Sequence, residues 1–413
     1  NCDASASSTS SAPLAPSSAS PSSSSSSAPL PAVPPMTGFI ESYTAALHKY
    51  NKSEVPGSFI MHGFDPEHVP IITTLASEFA LFDAWHASVP GPTEVNRCFA
   101  WSATSDGMAT NDKWRIALGM PQKTIFQTLD EANSSWGVFF EDFPSAIVMS
   151  YPRYHLEHLH TMDEFKAMAA NGTLPAFSFV EPRYYDDFGK PARDQHPDHD
   201  VAAGEEAMRE VYEAVRNGAA WERSALLITY DEHGGFDDHV PPPTAPSPDG
   251  KVSTKPPFNF TRLGLRVPSI LISPYVPKGT VVHGGDGGAV FEHSSIPATV
   301  RKLFAPAAAP LTRRDATAAT FEGVLSLAAP RTDCPASLPP APTHRAITPG
   351  LPPLSALGAA PMSDLQKGFA VVAAHVNGEM VDGLDGMVER EGAALVNRHM
   401  AALQARGSAV ASA

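Results

Sequence analysis

The sequence predicts a layered α/β fold around a mostly parallel sheet, and three observations support this. Short apolar runs recur along the chain: Ser145-Ala-Ile-Val-Met-Ser, Ala176-Phe-Ser-Phe-Val, Ala225-Leu-Leu-Ile-Thr-Tyr and Ser269-Ile-Leu-Ile-Ser. Near-continuous apolarity over so few residues fits strands covered on both faces, as parallel strands are. Between the second and third runs, Glu205 to Asn217 carries Met208, Val211, Tyr212 and Val215 at helical spacing, with Gly218 as a stop. The order strand, helix, strand is the third observation, because a helix between strands covers one face of a sheet.

The remaining elements follow in chain order. Residues 1 to about 35 are almost entirely Ser, Ala and Pro. Such a segment cannot bury enough apolar area to offset its ordering entropy, so a disordered tail is expected there. From Met36 the composition is that of a folded domain, and residues 36–330 are assigned to one α/β domain. A Pro90-Gly-Pro turn leads into a helix through Arg97, Phe99 and Trp101. Glu292-His-Ser-Ser opens a second helical segment, Ile296 to Leu303, with Ser294 or Ser295 as N-cap. Residues 331–413 read as a Pro- and Ala-rich linker followed by a small C-terminal helical appendage. There Leu365, Phe369, Val372 and Ala373, then Leu395, His399 and Leu403, recur with helical periodicity.

Composition excludes several classes of function. In 413 residues, 43% are hydrophobic, enough for a full core, while 29 Lys and Arg face 44 Asp and Glu for a net charge of −15. That excess repels nucleic acid and argues against a broad electrostatic grip on anionic membranes. Lipid contact would therefore use a local apolar patch or a pocket. No apolar run reaches the roughly 18 residues a spanning helix needs. The three cysteines, Cys2, Cys98 and Cys334, form no close pair with one another or with histidine, which speaks against a thiolate zinc site. Cys98 reads as a core thiol, and a Cys2–Cys334 disulfide stays open. Sequons at Asn51, Asn133, Asn171 and Asn259 are compatible with a secretory or peripheral-membrane location. The opening Asn-Cys-Asp carries no signal-peptide pattern and reads as the start of a fragment or processed product.

Three clusters carry chemistry. Tyr230-Asp-Glu-His-Gly-Gly-Phe-Asp-Asp-His239-Val-Pro begins where the third apolar run ends. Ligands of open α/β sheets sit beyond the carboxyl ends of strands, and two adjacent carboxylates, Asp231 and Glu232, suit a hard divalent cation. His239, past the turn, could donate to a phosphoryl oxygen or leaving group, and the alternative is an acidic surface loop. In Ser88-Val-Pro-Gly-Pro-Thr93-Glu-Val-Asn96-Arg97, Thr93 stands at a helix start. There it is either a cap or a nucleophile favoured by unsatisfied backbone N–H groups. Asn96 and Arg97 are candidates for orienting phosphate oxygens, or Arg97 is a solvated helix residue. Asp194-Gln-His196-Pro-Asp-His199-Asp precedes the helix leading to Asp231. Either histidine there is a phosphate ligand, a general acid or a polar loop residue. His293 is a further candidate facing the site. His155, His158 and His160 have no decisive spacing.

Together these clusters resemble the non-specific phospholipase C family of plants and algae. That family belongs to a wider group with bacterial phosphatidylcholine-hydrolysing phospholipases C and an acid phosphatase. The resemblance runs from about Met36 through Asn377. It includes Gly264-Leu-Arg-Val-Pro-Ser, Glu292-His-Ser-Ser-Ile-Pro-Ala-Thr-Val, Leu311-Thr-Arg-Arg-Asp and Arg331-Thr-Asp-Cys-Pro. It implies an alkaline-phosphatase-like three-layer sandwich and a phospholipid substrate at a membrane surface. Thr93 would be the nucleophile, Asp231 and Glu232 would hold a divalent metal, and His196 would bind phosphate or protonate the leaving group. Asn96, Arg97 and His293 would bind substrate. The family's N-terminal Glu-Asn-Arg-Ser-Phe-Asp-His-like motif, its first strand and an Asp-Pro-Gly-His segment are absent from this sequence, and Glu94-Val95 replaces a polar-Pro pair. The resemblance thus implies a weak, open metal site and little turnover by this chain. An acid phosphatase acting on soluble monoesters and a non-catalytic lipid-binding remnant are the competing expectations.

Overall fold

The protein is described by a computed structural model covering residues 36–49, 55–187, 189–197, 199–343 and 357–411. The expected tail at 1–35, Cys2 and residues 344–356 of the proposed linker lie outside these residues. The chain begins α1 (Phe39–Lys49), α2 (Pro70–Glu78), β1 (Ala80–Phe82), β2 (Trp85–His86), α3 (Thr93–Ser102), α4 (Lys113–Leu118), α5 (Ile125–Glu131) and β3 (Trp136–Phe140). It continues through α6 (Ser150–Tyr154), β4 (Leu159–Thr161), α7 (Met162–Asn171), β5 (Phe177–Glu181), α8 (Val201–Arg216) and β6 (Leu226–Thr229). A short hairpin, β7 (Ser253–Thr254) and β8 (Pro257–Phe258), precedes β9 (Ser269–Ile272), β10 (Thr280–Val282) and β11 (Phe291–Glu292). Helices α9 (Ser295–Phe304), α10 (Arg313–Thr317), α11 (Asp364–His375) and α12 (Glu389–Ala411) complete the order.

The fold is mixed α/β, with its strands divided among several sheets. A four-stranded sheet runs β10-β1-β9-β6, and a three-stranded sheet runs β4-β3-β5. The second is wholly parallel, with Trp136 opposite Phe177 and Val138 opposite Leu159. In the first, β1 and β10 are parallel, but β9 is antiparallel to both β1 and β6. Burial alone does not distinguish these cases: β9 is covered on both faces and reads as apolar throughout, like a parallel strand, whatever its direction.

One predicted strand is helical. Ser145–Val148 forms a 3-10 turn and Ser150–Tyr154 a short helix, all of Ser145–Met149 being buried. The backbone N–H groups of Ser145 and Ala146 donate to the Glu181 carboxylate at 2.9 and 3.2 Å instead of joining a sheet. Pro144 and Pro152 flank the run and remove two ladder donors. The central strand β3, Trp-Gly-Val-Phe-Phe, is passed over by the short-run reading, as are the shorter strands β1, β4 and β10.

Helix α8 begins at Val201, four residues before the periodic segment, because Asp200 caps it through the Ala202 N–H. Its buried Glu205 in turn accepts from the first N–H groups of α2, Ile71 and Ile72, and so fixes the start of α2 from a distance. The helices expected as a C-terminal appendage join the main core. Phe369 of α11 is fully buried, with its ring centroid 4.3 Å from Phe143 and 4.9 Å from Tyr184. Among the described residues, no helix is long and apolar enough to cross a membrane. Cys98 is a buried free thiol, raised well above its ordinary range by burial, and among the described residues Cys334 pairs with no other cysteine.

Candidate active site

Helix α3 organises the site. Its ten residues are buried on every face except at Arg97, so the helix runs through the interior. Pro92 precedes it with extended backbone and no side-chain cap, and Ala103 ends it in the left-handed region. Thr93 is therefore the first helical residue, and it is buried with no helix-capping bond of its own. The turn before it is locked by Asn96, whose Oδ1 accepts from the Val89 N–H (3.1 Å) while its Nδ2 donates to Gly91 O (2.8 Å). Arg314, also buried, donates to Ser88 O at 2.8 Å and to Phe260 O at 2.9 Å. Ser88 itself hydrogen-bonds to Glu292. Asn96 and Arg314 thus hold the chain that delivers Thr93.

One turn on, Arg97 lies on the same face of α3 as Thr93, since residues four apart on a helix are neighbours. Its Nε donates to Asp231 Oδ2 at 2.8 Å. Its Nη1 donates to Ser145 Oγ and Tyr184 Oη and lies 3.8 Å from Glu181. Glu181 closes β5 and Asp231 follows β6, so one guanidinium ties together the carboxyl ends of strands from two sheets. Arg97 thus joins α3 to the Asp231 carboxylate.

Asp231 and Glu232 are adjacent but electrostatically unlike. Burial would raise Asp231, but the charges of Arg97 and then His196 outweigh it, so its carboxyl is held low and ionised. Burial raises Glu232, and the Asp231 charge raises it further. Asp231 Oδ1 accepts from the Glu232 N–H and Glu232 Oε2 from the Gly234 N–H, at 2.9 and 2.8 Å. Gly234 has φ of +62°, and a Cβ there would sit 3.2 Å from Pro197 Cγ, so glycine serves both the turn and the close approach of the 194–197 loop.

That loop presents two histidines on one carboxylate. Asp194 accepts from Nδ1 of His196 and of His199, both at 2.5 Å. Burial opposes charge on His196, yet Asp194 raises it to about 9, so it is a cation at neutral pH. Asp194 is held well below the usual carboxylate range by His199 and His196 against its own burial. His199 points its other nitrogen towards Glu389 of α12, 3.8 Å away.

The other predicted site residues lie as follows. His293 sits beneath Asp231. Its Nδ1 accepts from Trp85 Nε1, which fixes the proton on Nε2, and Nε2 donates to Asp231 O at 2.7 Å. Both nitrogens thus serve the protein, and burial keeps the ring neutral. Asn96 likewise directs its amide to the Ser88–Pro92 turn. His239 is 87% exposed and lies against Asp238, which Arg266 holds. Arg97, Asp231, Glu232 and His196 are brought together, with Thr93 one helical turn from Arg97; His239 stands at the surface.

Sequence reasoning passed over Glu181, Asp194 and Glu94. Glu181 carried a usable signal, because it is a carboxylate leaving an apolar run just as Asp231 is. Asp194 lay within the histidine motif. Glu94 gave no signal: it is fully buried, both carboxylate oxygens lack a hydrogen-bond partner, and burial raises it to about 8 even with Arg97 nearby.

The sequence profile of the phosphoesterase family matches residues 35–305. The chain belongs to the phosphoesterase family. Among relatives, it is 45% identical over 357 residues to "Non-specific phospholipase C6" of Arabidopsis thaliana, covering 84% of this chain and 66% of that one. It is 47% identical over 318 residues to "Non-specific phospholipase C1" of the same plant, covering 74% and 58%. "Phospholipase C B" of Mycobacterium tuberculosis (strain ATCC 25618 / H37Rv) is 29% identical over 310 residues, covering 63% and 56%. The chain thus spans about three-fifths to two-thirds of the length of the plant relatives.

For this phosphoesterase, a divalent metal is compatible with the residues at the strand end. Asp231 is ionised, and among the described residues Glu232 Oε1 accepts no hydrogen bond, so an oxygen remains for a cation. The pair joins no third Asp, Glu, His or Cys at ligand distance among the described residues. Asp194, His196 and His199 form a separate group with ligand atoms within 4.8 Å of one another.

Proposed function

We propose that this chain acts as a phospholipase C-type phosphodiesterase, cleaving the bond between phosphorus and the diacylglycerol oxygen. One observation carries the reading: Thr93, at a helix start without a capping bond, shares a helix face with Arg97, which grips the ionised Asp231. In this scheme Thr93 Oγ attacks phosphorus and gives up its proton to water. The diacylglycerol oxygen leaves and takes a proton from His196, and water then releases the phosphorylated headgroup from Thr93. His196 suits the acid role because Asp194 keeps it protonated at neutral pH while orienting the ring. Arg97 and the Thr93 and Val95 N–H groups suit the equatorial phosphoryl oxygens, the Glu94 N–H being taken by Asn111 Oδ1. Asp231 and Glu232 would hold a divalent metal, which when bound lowers the hydroxyl pKa and offsets phosphoryl charge. We read the surrounding layers as an alkaline-phosphatase-like sandwich with a mostly parallel central sheet. The membrane-surface substrate and the secretory or peripheral-membrane location belong to the same proposal.

Two carboxylates are few for a hard cation, so metal affinity should be weak, with half-activation on the order of 0.1–1 mM. Turnover by this chain should be correspondingly low. The test is diacylglycerol and phosphocholine release from phosphatidylcholine vesicles titrated with manganese, zinc, magnesium or calcium. Release of inorganic phosphate from small monoesters alone would favour the acid phosphatase reading. Vesicle binding indifferent to chelators, without turnover, would favour the lipid-binding reading. A second expectation concerns His196→Gln, which should slow release from phosphatidylcholine about 10²-fold or more. With a p-nitrophenyl phosphodiester the loss should shrink to a few-fold, because that leaving group needs no proton. An equal loss on both substrates would remove His196 from the acid role.

A further inference from the structure

Two of the three histidines without decisive spacing, His155 and His158, acquire a shared partner in the fold. Asp130, near the end of α5, meets His155 and His158, which follow α6. One ligand atom from each lies within 4.8 Å of the other two. None of the three belongs to the site described above.

Each ligand is already oriented by a neighbour. His158 Nδ1 lies 2.9 Å from Trp136 O. A carbonyl only accepts, so Nδ1 carries the proton and Nε2 is left with a lone pair. That is the arrangement in which a metal-binding histidine is held by a backbone carbonyl behind it. The ring is clamped further by stacking on Trp136, with centroids 3.9 Å apart. His155 stacks on Tyr151 at 4.2 Å, and the same Tyr151 donates its hydroxyl to Asp130 Oδ2 at 2.9 Å, which holds the carboxylate in place. A fourth oxygen stands close: Glu157 Oε1 is 3.2 Å from His155 Nδ1 and 3.8 Å from His158 Nε2. Ligand atoms around a tetrahedral zinc with bonds of about 2.0–2.1 Å are roughly 3.3 Å apart, so small side-chain rotations close the shell. All these side chains are partly solvent-accessible, which gives an ion a way in.

We propose that Asp130, His155 and His158, with Glu157 or water in the fourth position, form a zinc site that clamps α5 to the connection between α6 and β4. Two imidazoles and one carboxylate select a borderline transition ion over magnesium or calcium, which prefer an all-oxygen shell. The site differs from the Asp231–Glu232 pair in ligand type as well as in place.

The test is zinc binding by the whole chain after chelator treatment, read by calorimetry and by the metal retained on dialysis. Visible absorption of the cobalt-substituted protein reports tetrahedral nitrogen and oxygen ligands. The Asp231→Asn/Glu232→Gln variant should keep this zinc equivalent and its cobalt spectrum. His155→Ala/His158→Ala should lose one equivalent, or bind it at least about 100-fold more weakly, and should lose the rise in melting temperature on zinc addition. Asp130→Asn, which preserves shape, should weaken the same equivalent. Unchanged stoichiometry and affinity in both the histidine and Asp130 variants would overturn the proposal.

Discussion

Thr93→Ala should reduce headgroup release from phosphatidylcholine at least about 10⁴-fold while leaving the fold intact. The size follows from the role: removing the nucleophile of a covalent mechanism removes the pathway, whereas removing an orienting group only slows it. Little change in stability is expected because Thr93 makes no capping bond at its helix start. Alanine is also a good helix former. Thr93→Ser should retain measurable turnover, since it keeps the hydroxyl on the same backbone. Rates measured at saturating metal, together with urea unfolding of each variant, separate the chemical effect from a structural one. If Thr93→Ala turns over like the parent chain, the nucleophile is elsewhere and the reading of α3 fails.

Glu94→Gln should make the protein more stable, and increasingly so as pH rises. The folded state holds Glu94 at about 8, through burial without a hydrogen-bond partner, against about 4.5 for an ordinary glutamate. Below about pH 4.5 folded and unfolded chains both hold the proton, so glutamate and glutamine behave alike. Between there and pH 8 the unfolded chain releases the proton while the folded chain keeps it, so the parent loses stability steadily. Above pH 8 the full penalty applies, on the order of 4 kcal/mol for a shift of this size. Urea unfolding at pH 5, 7 and 9 should show the variant's advantage growing from near zero to several kcal/mol. An advantage equal at all three values would mean that Glu94 does not titrate as its burial implies.

The two predictions differ in how readable their residues were. Thr93 and Asp231 announce themselves locally: one opens a helix after a Pro-Gly-Pro turn, the other leaves an apolar strand, and both stand at the ends of regular elements that neighbouring residues mark. Glu94 sits beside Thr93, yet nothing local says that its carboxylate is sealed from water. Burial is set by what packs on the helix from distant parts of the chain. The same reason accounts for the Ser145 run: a few buried apolar residues fit a strand or a helical turn equally, and the Glu181 carboxylate that captures its N–H groups is 36 residues away.

Periodicity, turn residues and strand ends, which act over a few residues, were enough to read the α/β class, helices α3, α8 and α9 and the acidic pair from the chain alone. Long-range pairing settled the rest: the antiparallel placement of β9, the role of His293 as a support for Asp231, and the meeting of Asp130 with His155 and His158. These arrangements depend on which distant groups satisfy a buried donor or charge, and side-chain spacing along the chain carries no record of that.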